Sequence, residues 1–254
     1  MPLPDSSILT NIVFAGNENL ENSLFEKKYI NIRCMENRLY SDDEVMNLPD
    51  ISPEHTHFNE WTIRKKSSHR LTQYLAAQKK RLHILEAGCG NGWLAHCLSE
   101  IPHAEVEGLD INFTELQQAA RVFNENDHLR FIYGNIESGI LKAREFDTIV
   151  FASSIQYFRS LTETVSLCLG LLKPGGEIHI LDSPLYETQE IEAAKERTFS
   201  YYDSLGYPEM SDYYFHHDIN ELRGFHHKIV QNPNSLFQKL WGSRDCFYWI
   251  CLKN

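Results

Sequence analysis

The sequence predicts an α/β fold in which a mostly parallel sheet carries helices on both sides. Three observations predict this class. Between residues 82 and 182, short apolar runs typical of strands alternate with amphipathic helical patterns. A glycine-rich turn joins the first of these strands to the helix that follows it. The run at residues 146–152 is continuously apolar, as expected for a strand that is covered on both faces.

The individual elements follow from the same periodicities. A helical pattern over residues 58–77 leads directly into the first strand. The predicted strands cover residues 82–86, 105–110, 129–133, 146–152 and 177–182. The apolar faces between them predict helices over residues 93–101, 116–123 and 161–172, the second capped near Asn112 or Thr114. The Lys173-Pro174-Gly175-Gly176 turn is expected to end the third of these helices.

The two ends of the chain depart from this alternation. Residues 1–55 are weakly periodic and are expected to form an N-terminal extension of short helices and loops that packs on the core. Residues 56–254 are expected to form one domain, with an aromatic-rich lid insertion at about 186–228. A helix over residues 191–205 begins the lid, and a strand over 247–252 ends the chain. The lid aromatics are Phe199, Tyr201, Tyr202, Tyr207, Tyr213, Tyr214 and Phe215.

Composition limits the class of partner. The 254 residues include 24 basic and 35 acidic side chains, for a formal net charge of −11, which disfavours nucleic acid or an anionic membrane as the partner. The first residues lack the pattern of a signal peptide, and no apolar run reaches the ~20 residues of a membrane span. The six cysteines form no C-x-x-C pair, which predicts a reducing, cytoplasmic location.

The most informative motif is Glu86-Ala87-Gly88-Cys89-Gly90-Asn91-Gly92, which lies between the first strand and its helix. Its glycines read G-x-G-x-G, whereas the dinucleotide fingerprint needs a small residue where Trp93 stands. No Gly-Lys-Ser/Thr follows, so the turn is not a P-loop. Glu86 would repel a phosphate group. The turn therefore favours a cationic or zwitterionic ligand.

This motif resembles motif I of the class I S-adenosylmethionine-dependent methyltransferases. The resemblance covers residues 58–182 well and the C-terminal strand loosely. It implies a Rossmann-like three-layer α/β/α sandwich with a seven-stranded, mostly parallel sheet and one antiparallel strand. It also implies S-adenosylmethionine as the cofactor and methyl transfer by in-line displacement to an acceptor, expected to be a small molecule. The implied cofactor-binding residues of the turn are Glu86, Gly88, Cys89, Gly90, Asn91 and Gly92.

The resemblance also assigns the nucleoside end of the donor. Asp110 ends the second strand, 20 positions beyond Gly90, and is expected to accept the ribose hydroxyl hydrogens. Ile111 is expected to pack on adenine. Asn135 stands where similar enzymes often carry Asp, and its carbonyl oxygen can accept from the adenine amino group. Ile136 is expected at the edge of the ring.

Other residues are expected at the methionine and acceptor ends. Trp61 and Arg64 lie on a helix that closes over the donor in similar enzymes, where Arg suits the methionine carboxylate. Ser153 follows the fourth strand, at the wall between donor and acceptor. Asp182, His216 and His217 are the candidate bases, needed only if the acceptor must lose a proton. The aromatic cluster and the adjacent histidines have a second interpretation, as a lid packed over the core.

Two alternatives to a small-molecule methyltransferase remain open from the sequence. One is a non-catalytic module that binds S-adenosylmethionine or S-adenosylhomocysteine to regulate a partner. The other is a protein methyltransferase. Ala152-Ser153-Ser154-Ile155 stands where enzymes that methylate base amines carry Asn/Asp-Pro-Pro-Tyr/Phe, which opposes a nucleic-acid acceptor. The histidine pairs lack cysteine or carboxylate partners at metal-binding spacing, so no metal is expected.

Overall fold

The computed structural model describes residues 12–14, 20–234 and 247–254. The chain folds as two compact units, residues 1–142 and 143–254. Strands alternate with helices in both units, and most neighbouring strands run parallel. The predicted Rossmann-like α/β class is therefore confirmed.

The N-terminal unit contains four parallel strands in the order β1-β4-β3-β2. In its register, Glu86 is level with Gly108, and Asp110 is level with Tyr133. Parallel neighbouring strands end at the same edge of the sheet. The glycine turn, Asp110 and Asn135 therefore lie at the ends of three adjacent strands. The elements are β1 Ile12–Phe14, α1 Leu20–Met35, α2 Asp42–Asn47, α3 Phe58–Ala76, β2 Leu82–Ala87, α4 Trp93–Ser99, β3 Ala104–Asp110, α5 Phe113–Val122 and β4 Leu129–Tyr133.

Two helices that precede α3 contact α5. The Glu26 carboxylate on α1 accepts hydrogen bonds from the backbone N–H and the hydroxyl of Thr114, at 2.8 and 2.9 Å. On α2, Asp42 forms two hydrogen bonds of 2.7 Å with Arg121. Glu26 thus satisfies a backbone donor in the first turn of α5, where such groups have no partner within the helix.

The C-terminal unit contains four strands in the order β5-β6-β8-β7. Strands β5 and β6 are parallel, and β8 runs antiparallel to both β6 and β7. The predicted antiparallel C-terminal strand is therefore confirmed. The elements are β5 Phe146–Ala152, α6 Leu161–Leu171, β6 Leu172–Leu181, α7 Ile191–Ser204, β7 His227–Gln231 and β8 Trp249–Lys253.

The aromatic segment of this unit is tied to the loop after β5 and to the loop after β6. The N–H of Phe215 donates to the Gln156 carbonyl at 2.7 Å. The N–H of Tyr186 donates to the His217 carbonyl at 3.0 Å, and the N–H of Ile219 donates to the Tyr186 carbonyl at 2.9 Å. These backbone hydrogen bonds attach the aromatic segment to the rest of its own unit.

Three sequence expectations need correction. The described residues contain eight strands rather than seven, because Ile12–Phe14 pairs with β4. The N-terminal extension holds a helix of 16 residues, α1, where only short helices were expected. Strand β6 begins at Leu172 instead of residue 177, since residues 173–176 lie within it as an irregularity beside β5.

Two further observations bear on location. None of the helices in the described ranges is both long and apolar enough to cross a lipid bilayer. Five cysteines in those ranges carry free thiols: Cys34, Cys89, Cys97, Cys168 and Cys251. The sixth, Cys246, lies outside the described residues.

Candidate functional site

The glycine turn connects β2 to α4 and needs glycine at all three spaced positions. Gly88, Gly90 and Gly92 have φ angles of 77°, 53° and 76°, in the left-handed region that residues with a Cβ rarely adopt. The N–H of Gly88 donates to the Leu109 carbonyl at 2.8 Å, and the N–H of His96 donates to the Gly92 carbonyl at 2.9 Å. The turn is therefore held to β3 on one side and opens α4 on the other.

Asp110 ties the end of β3 to this turn. Its Oδ2 accepts the Gly90 N–H at 2.7 Å, and its Oδ1 accepts the Asn112 N–H at 2.8 Å. Burial raises the pKa of the Asp110 carboxyl, although these backbone donors favour its ionised form. Because each carboxylate oxygen has a second lone pair, both can still accept a hydroxyl hydrogen. Ribose binding by Asp110 stays a prediction.

Glu86 is a buried acid at the end of β2. Its side chain accepts a hydrogen bond from the backbone N–H of Ala95, and only 2% of the residue is exposed. Burial, reinforced by the charge of Asp110, raises the pKa of Glu86 well above its usual range. Within the described part of the chain, Oε2 has no hydrogen-bond partner. A buried acceptor in this state fits a ligand that brings an N–H group or a positive charge.

The loop after β4 is held next to Asp110. The N–H of Gly134 donates to the Asp110 carbonyl at 2.9 Å. Asn135 is exposed, and its side-chain oxygen accepts the Glu137 N–H at 3.1 Å, capping a short 3-10 helix. Ile136 is 3% exposed, and Ile111 is half-buried. The predicted contacts of Asn135, Ile136 and Ile111 with adenine remain predictions.

Trp61 and Arg64 of α3 are both engaged within the protein. Trp61 is buried, donates from Nε1 to the Tyr40 hydroxyl at 2.8 Å, and meets the Trp93 ring edge-on at 5.1 Å. The Arg64 Nε donates to Glu60 Oε1 at 3.0 Å, and Nη2 lies 3.0 Å from the same oxygen. Binding of the methionine carboxylate by Arg64 stays a prediction, and it would have to compete with Glu60.

Ser153 and Asp182 follow the ends of the parallel strands β5 and β6. Both have positive φ angles, 57° and 53°, and the Ser153 N–H donates to the Leu181 carbonyl at 2.9 Å. Such backbone angles cost about 1 kcal/mol or more for residues with a Cβ and cluster at functional sites. Nearby, the buried Gln156 amide donates to the Ser153 carbonyl at 2.8 Å, and its Oε1 lacks a partner among the described residues.

His216 and His217 have different surroundings. His216 is half-buried, its Nε2 lies 2.8 Å from the Thr198 hydroxyl, and burial lowers its pKa. His217 is 3% exposed and its Nε2 lies 3.0 Å from the Ile155 carbonyl. Burial also lowers the pKa of His217. These contacts hold His217 against the backbone of its own unit, and the use of either histidine as a base remains a prediction.

One cluster in the C-terminal unit has the residue types of a metal site. Potential ligand atoms of Glu177, His179 and Cys251 lie within 4.8 Å of one another. However, the Trp249 indole N–H donates to His179 Nδ1 at 3.1 Å, so the neutral imidazole carries its proton on Nε2. That nitrogen lies 3.3 Å from Glu177 Oε2. Metal binding through Nε2 would require an imidazolate, so this nitrogen does not suit a metal ion while Trp249 donates to Nδ1.

The order of these features is matched by a known family. Residues 84–176, which run from β2 into β6, match the family model described as a methyltransferase domain. They include the glycine turn, Asp110 and Asn135. Residues 84–176 are therefore similar to a methyltransferase domain.

Solved structures support the fold of this chain. Geranyl diphosphate C-methyltransferase from Streptomyces coelicolor A3(2) superposes with a TM-score of 0.55 at 15% identity, over 80% of this chain and 86% of that one. The YcgJ protein from Bacillus subtilis superposes with a TM-score of 0.52 at 15% identity, over 73% and 96%. At these identities the likeness concerns the fold alone.

Curated relatives match the same region. Malonyl-[acyl-carrier protein] O-methyltransferase from Halalkalibacterium halodurans is 32% identical over 123 residues, 45% of each chain. Ubiquinone biosynthesis O-methyltransferase from Salmonella arizonae is 29% identical over 97 residues, 37% of this chain and 40% of the relative. The chain thus spans less than half the length of these relatives.

One acid beside the glycine turn was not predicted. Glu115 lies on α5, and a Cβ built on Gly90 would be 3.4 Å from its Oε2. Its Oε2 accepts from Asn112 Nδ2 at 3.2 Å, and its N–H donates to Asn112 Oδ1 at 3.1 Å. The expected cap at Asn112 is confirmed. The acid three positions after that cap was the signal that could have revealed Glu115.

Proposed function

We propose that this chain transfers a methyl group from S-adenosylmethionine to a small-molecule acceptor. The observation that carries the proposal is the arrangement of the glycine turn. The Gly90 N–H donates a hydrogen bond to Asp110, and the Glu86 Oε2 atom is buried without a hydrogen-bond partner among the described residues. When bound, S-adenosylmethionine supplies a methyl group that its sulfonium makes electrophilic. The relatives named above, all methyltransferases, support the same reaction class.

The residues present fit such a donor. Glu86 offers a buried acceptor to a ligand with positive charge, and Asp110 offers a lone pair on each oxygen to ribose hydroxyls. A side chain at Gly92 would collide with Phe131, so backbone alone lines this part of the turn. Asn135 and Ile136 are proposed to recognise adenine, and Arg64 the carboxylate of the donor.

The residues proposed for the acceptor side belong to the C-terminal unit. In-line transfer requires the acceptor to lie about 3 Å from the methyl group, in line with the breaking bond. Ser153 and the Gln156 amide oxygen are proposed to orient polar groups. Asp182 is proposed as the base where the acceptor must lose a proton, because His217 is bonded to the backbone of its own unit.

Calorimetry with S-adenosylhomocysteine tests the donor assignment. We expect the intact chain to bind it, and Asp110→Ala to weaken binding about 10- to 100-fold, as for the loss of hydrogen bonds to a charged group. Asp127→Ala, which removes an exposed aspartate, is the matched control and should bind normally. Absence of binding, or normal binding by Asp110→Ala, would contradict the proposal.

Turnover separates an enzyme from a binding module. Incubation with methyl-labelled S-adenosylmethionine and a panel of small molecules should give a labelled product with at least one acceptor. Binding without transfer to any small molecule would favour the regulatory module or a protein acceptor. A cytoplasmic location is proposed as well, supported by the five free thiols in the described ranges.

A further inference from the structure

Three carboxyl groups surround the glycine turn. Glu86 precedes it on β2, Asp110 bonds to Gly90 from β3, and Glu115 lies against Gly90 from α5. Glu86 is 2% exposed, and its Oε2 has no partner in the part of the chain that the structure describes. Three acids on three elements are thus directed at one turn, with a buried oxygen left for a ligand.

The nearby cations are held by other groups. Arg64 donates a hydrogen bond to Glu60 and forms an ion pair with the same carboxylate. Arg33 of α1 donates to the Tyr29 hydroxyl at 2.6 and 2.9 Å and lies 3.9 Å from Glu36.

The charge of a fourth acid, Glu26 on α1, also raises the pKa of Glu115. No ion pair to Glu86, Asp110 or Glu115 is present among the described residues. Acidic groups at the turn therefore outnumber the cations that form ion pairs with them in this part of the chain.

We propose that Glu115, with Glu86 and Asp110, makes the glycine turn selective for the cationic donor S-adenosylmethionine over the uncharged product S-adenosylhomocysteine. This inference rests on the proposed function and adds a specificity-determining residue to it. The two ligands differ by one methyl group and by a fixed positive charge on sulfur. Carboxylates in a partly desolvated site attract that charge far more strongly than they would in water.

The pKa of Glu115 supports a coupling between donor binding and proton release. Burial raises the pKa of Glu115 to about 7, with the charge of Asp110 adding to it and Arg33 opposing it. At neutral pH, Glu115 is therefore partly protonated before the donor arrives. A cation bound nearby favours its ionised form, so the carboxyl proton passes to the buffer. The uncharged product has no such effect.

The test compares the affinities of the two ligands by calorimetry at about pH 6 and about pH 8. In the wild type, the ratio of the dissociation constant of S-adenosylhomocysteine to that of S-adenosylmethionine should rise at least about threefold with pH, as expected for one charge interaction in this environment. Glu115→Gln should remove most of this rise. Glu125→Gln removes the same charge from an exposed position and should behave as the wild type.

Proton release gives a second measurement that needs no variant. In buffers of different ionisation enthalpy at about pH 7, binding of S-adenosylmethionine should release more protons than binding of S-adenosylhomocysteine. A ratio that does not change with pH, together with equal proton release, would overturn the selectivity while leaving donor binding intact. If neither ligand binds, both this inference and the proposed function fail.

Discussion

Gly92 has more crowded surroundings than Gly90 in the glycine turn. A Cβ at this position would lie 2.7 Å from the Phe131 ring and 2.9 Å from the Ala119 side chain. Both neighbours are buried, so neither can move without disturbing the packing between α5 and β4. Gly139 has the same φ of 76° but nothing within 4 Å of a Cβ. Alanine substitutions at Gly92 and Gly139 therefore distinguish the cost of backbone strain from the cost of steric overlap.

We expect Gly92→Ala to lower the free energy of unfolding by about 3–5 kcal/mol, and Gly139→Ala by about 1 kcal/mol. The first combines strain with overpacking, whereas the second has strain alone. Urea denaturation of both variants measures the difference. Equal losses would mean that the Phe131 contact contributes nothing to the requirement for glycine.

At the scale of elements, an ion-pair network joins α3 to the segment before α2. Glu60 on α3 accepts from Arg38 at 2.7 and 2.9 Å and from Arg64 at 3.0 Å. Burial opposes ionisation of Glu60, but the hydrogen bonds and charges of Arg38 and Arg64 outweigh it and lower its pKa to about 2. The network therefore stabilises the fold only while Glu60 is ionised.

This network predicts a loss of stability in acid. Since the folded pKa lies below the unfolded value of 4.5, the contribution is complete above about pH 4.5 and disappears as the pH falls towards about 2. Glu60→Gln should lower the free energy of unfolding by about 1–2 kcal/mol near neutral pH, a value reduced for solvent screening, and by little near pH 2. Thermal denaturation across this range measures it. Glu54→Gln, at an exposed position, should show no such dependence.

Helices and strands with a regular apolar pattern could be predicted from the sequence. Strands β2 to β5 and helices α3 to α6 were predicted within a few residues, because each buries a periodic apolar face. Strand β1 was missed because three residues are too few to show alternation, and its pairing with β4 is a tertiary contact. The residues of the turn were predictable from glycine spacing. Glu115 was not, because its contact with Gly90 depends on how α5 packs.

At the scale of the whole molecule, the net charge of −11 repels negatively charged partners. Neither DNA nor RNA should bind, because the overall field repels phosphates. Fluorescence polarisation with labelled single- and double-stranded oligonucleotides at about 50 mM salt should show no change up to micromolar protein, where nonspecific binders give a signal. Saturable binding would contradict this and reopen a nucleic-acid acceptor.

The acceptor could not be predicted from the sequence for a physical reason. The glycine turn is a local motif, in which seven consecutive residues determine the backbone conformation. The candidate acceptor residues are spread from Ser153 to His217, and only the folded C-terminal unit shows that His217 bonds to the Ile155 carbonyl. Such recognition depends on contacts distant in sequence, which periodicity does not record.

The edge-on contact between Trp61 and Trp93 has an optical consequence. The two indole rings lie 5.1 Å apart, and Trp93 directly follows Gly92. A rearrangement of the turn therefore moves one chromophore against the other. Their coupled near-ultraviolet dichroism and emission make the pair an internal spectroscopic reporter, positioned where the methyl donor is proposed to bind.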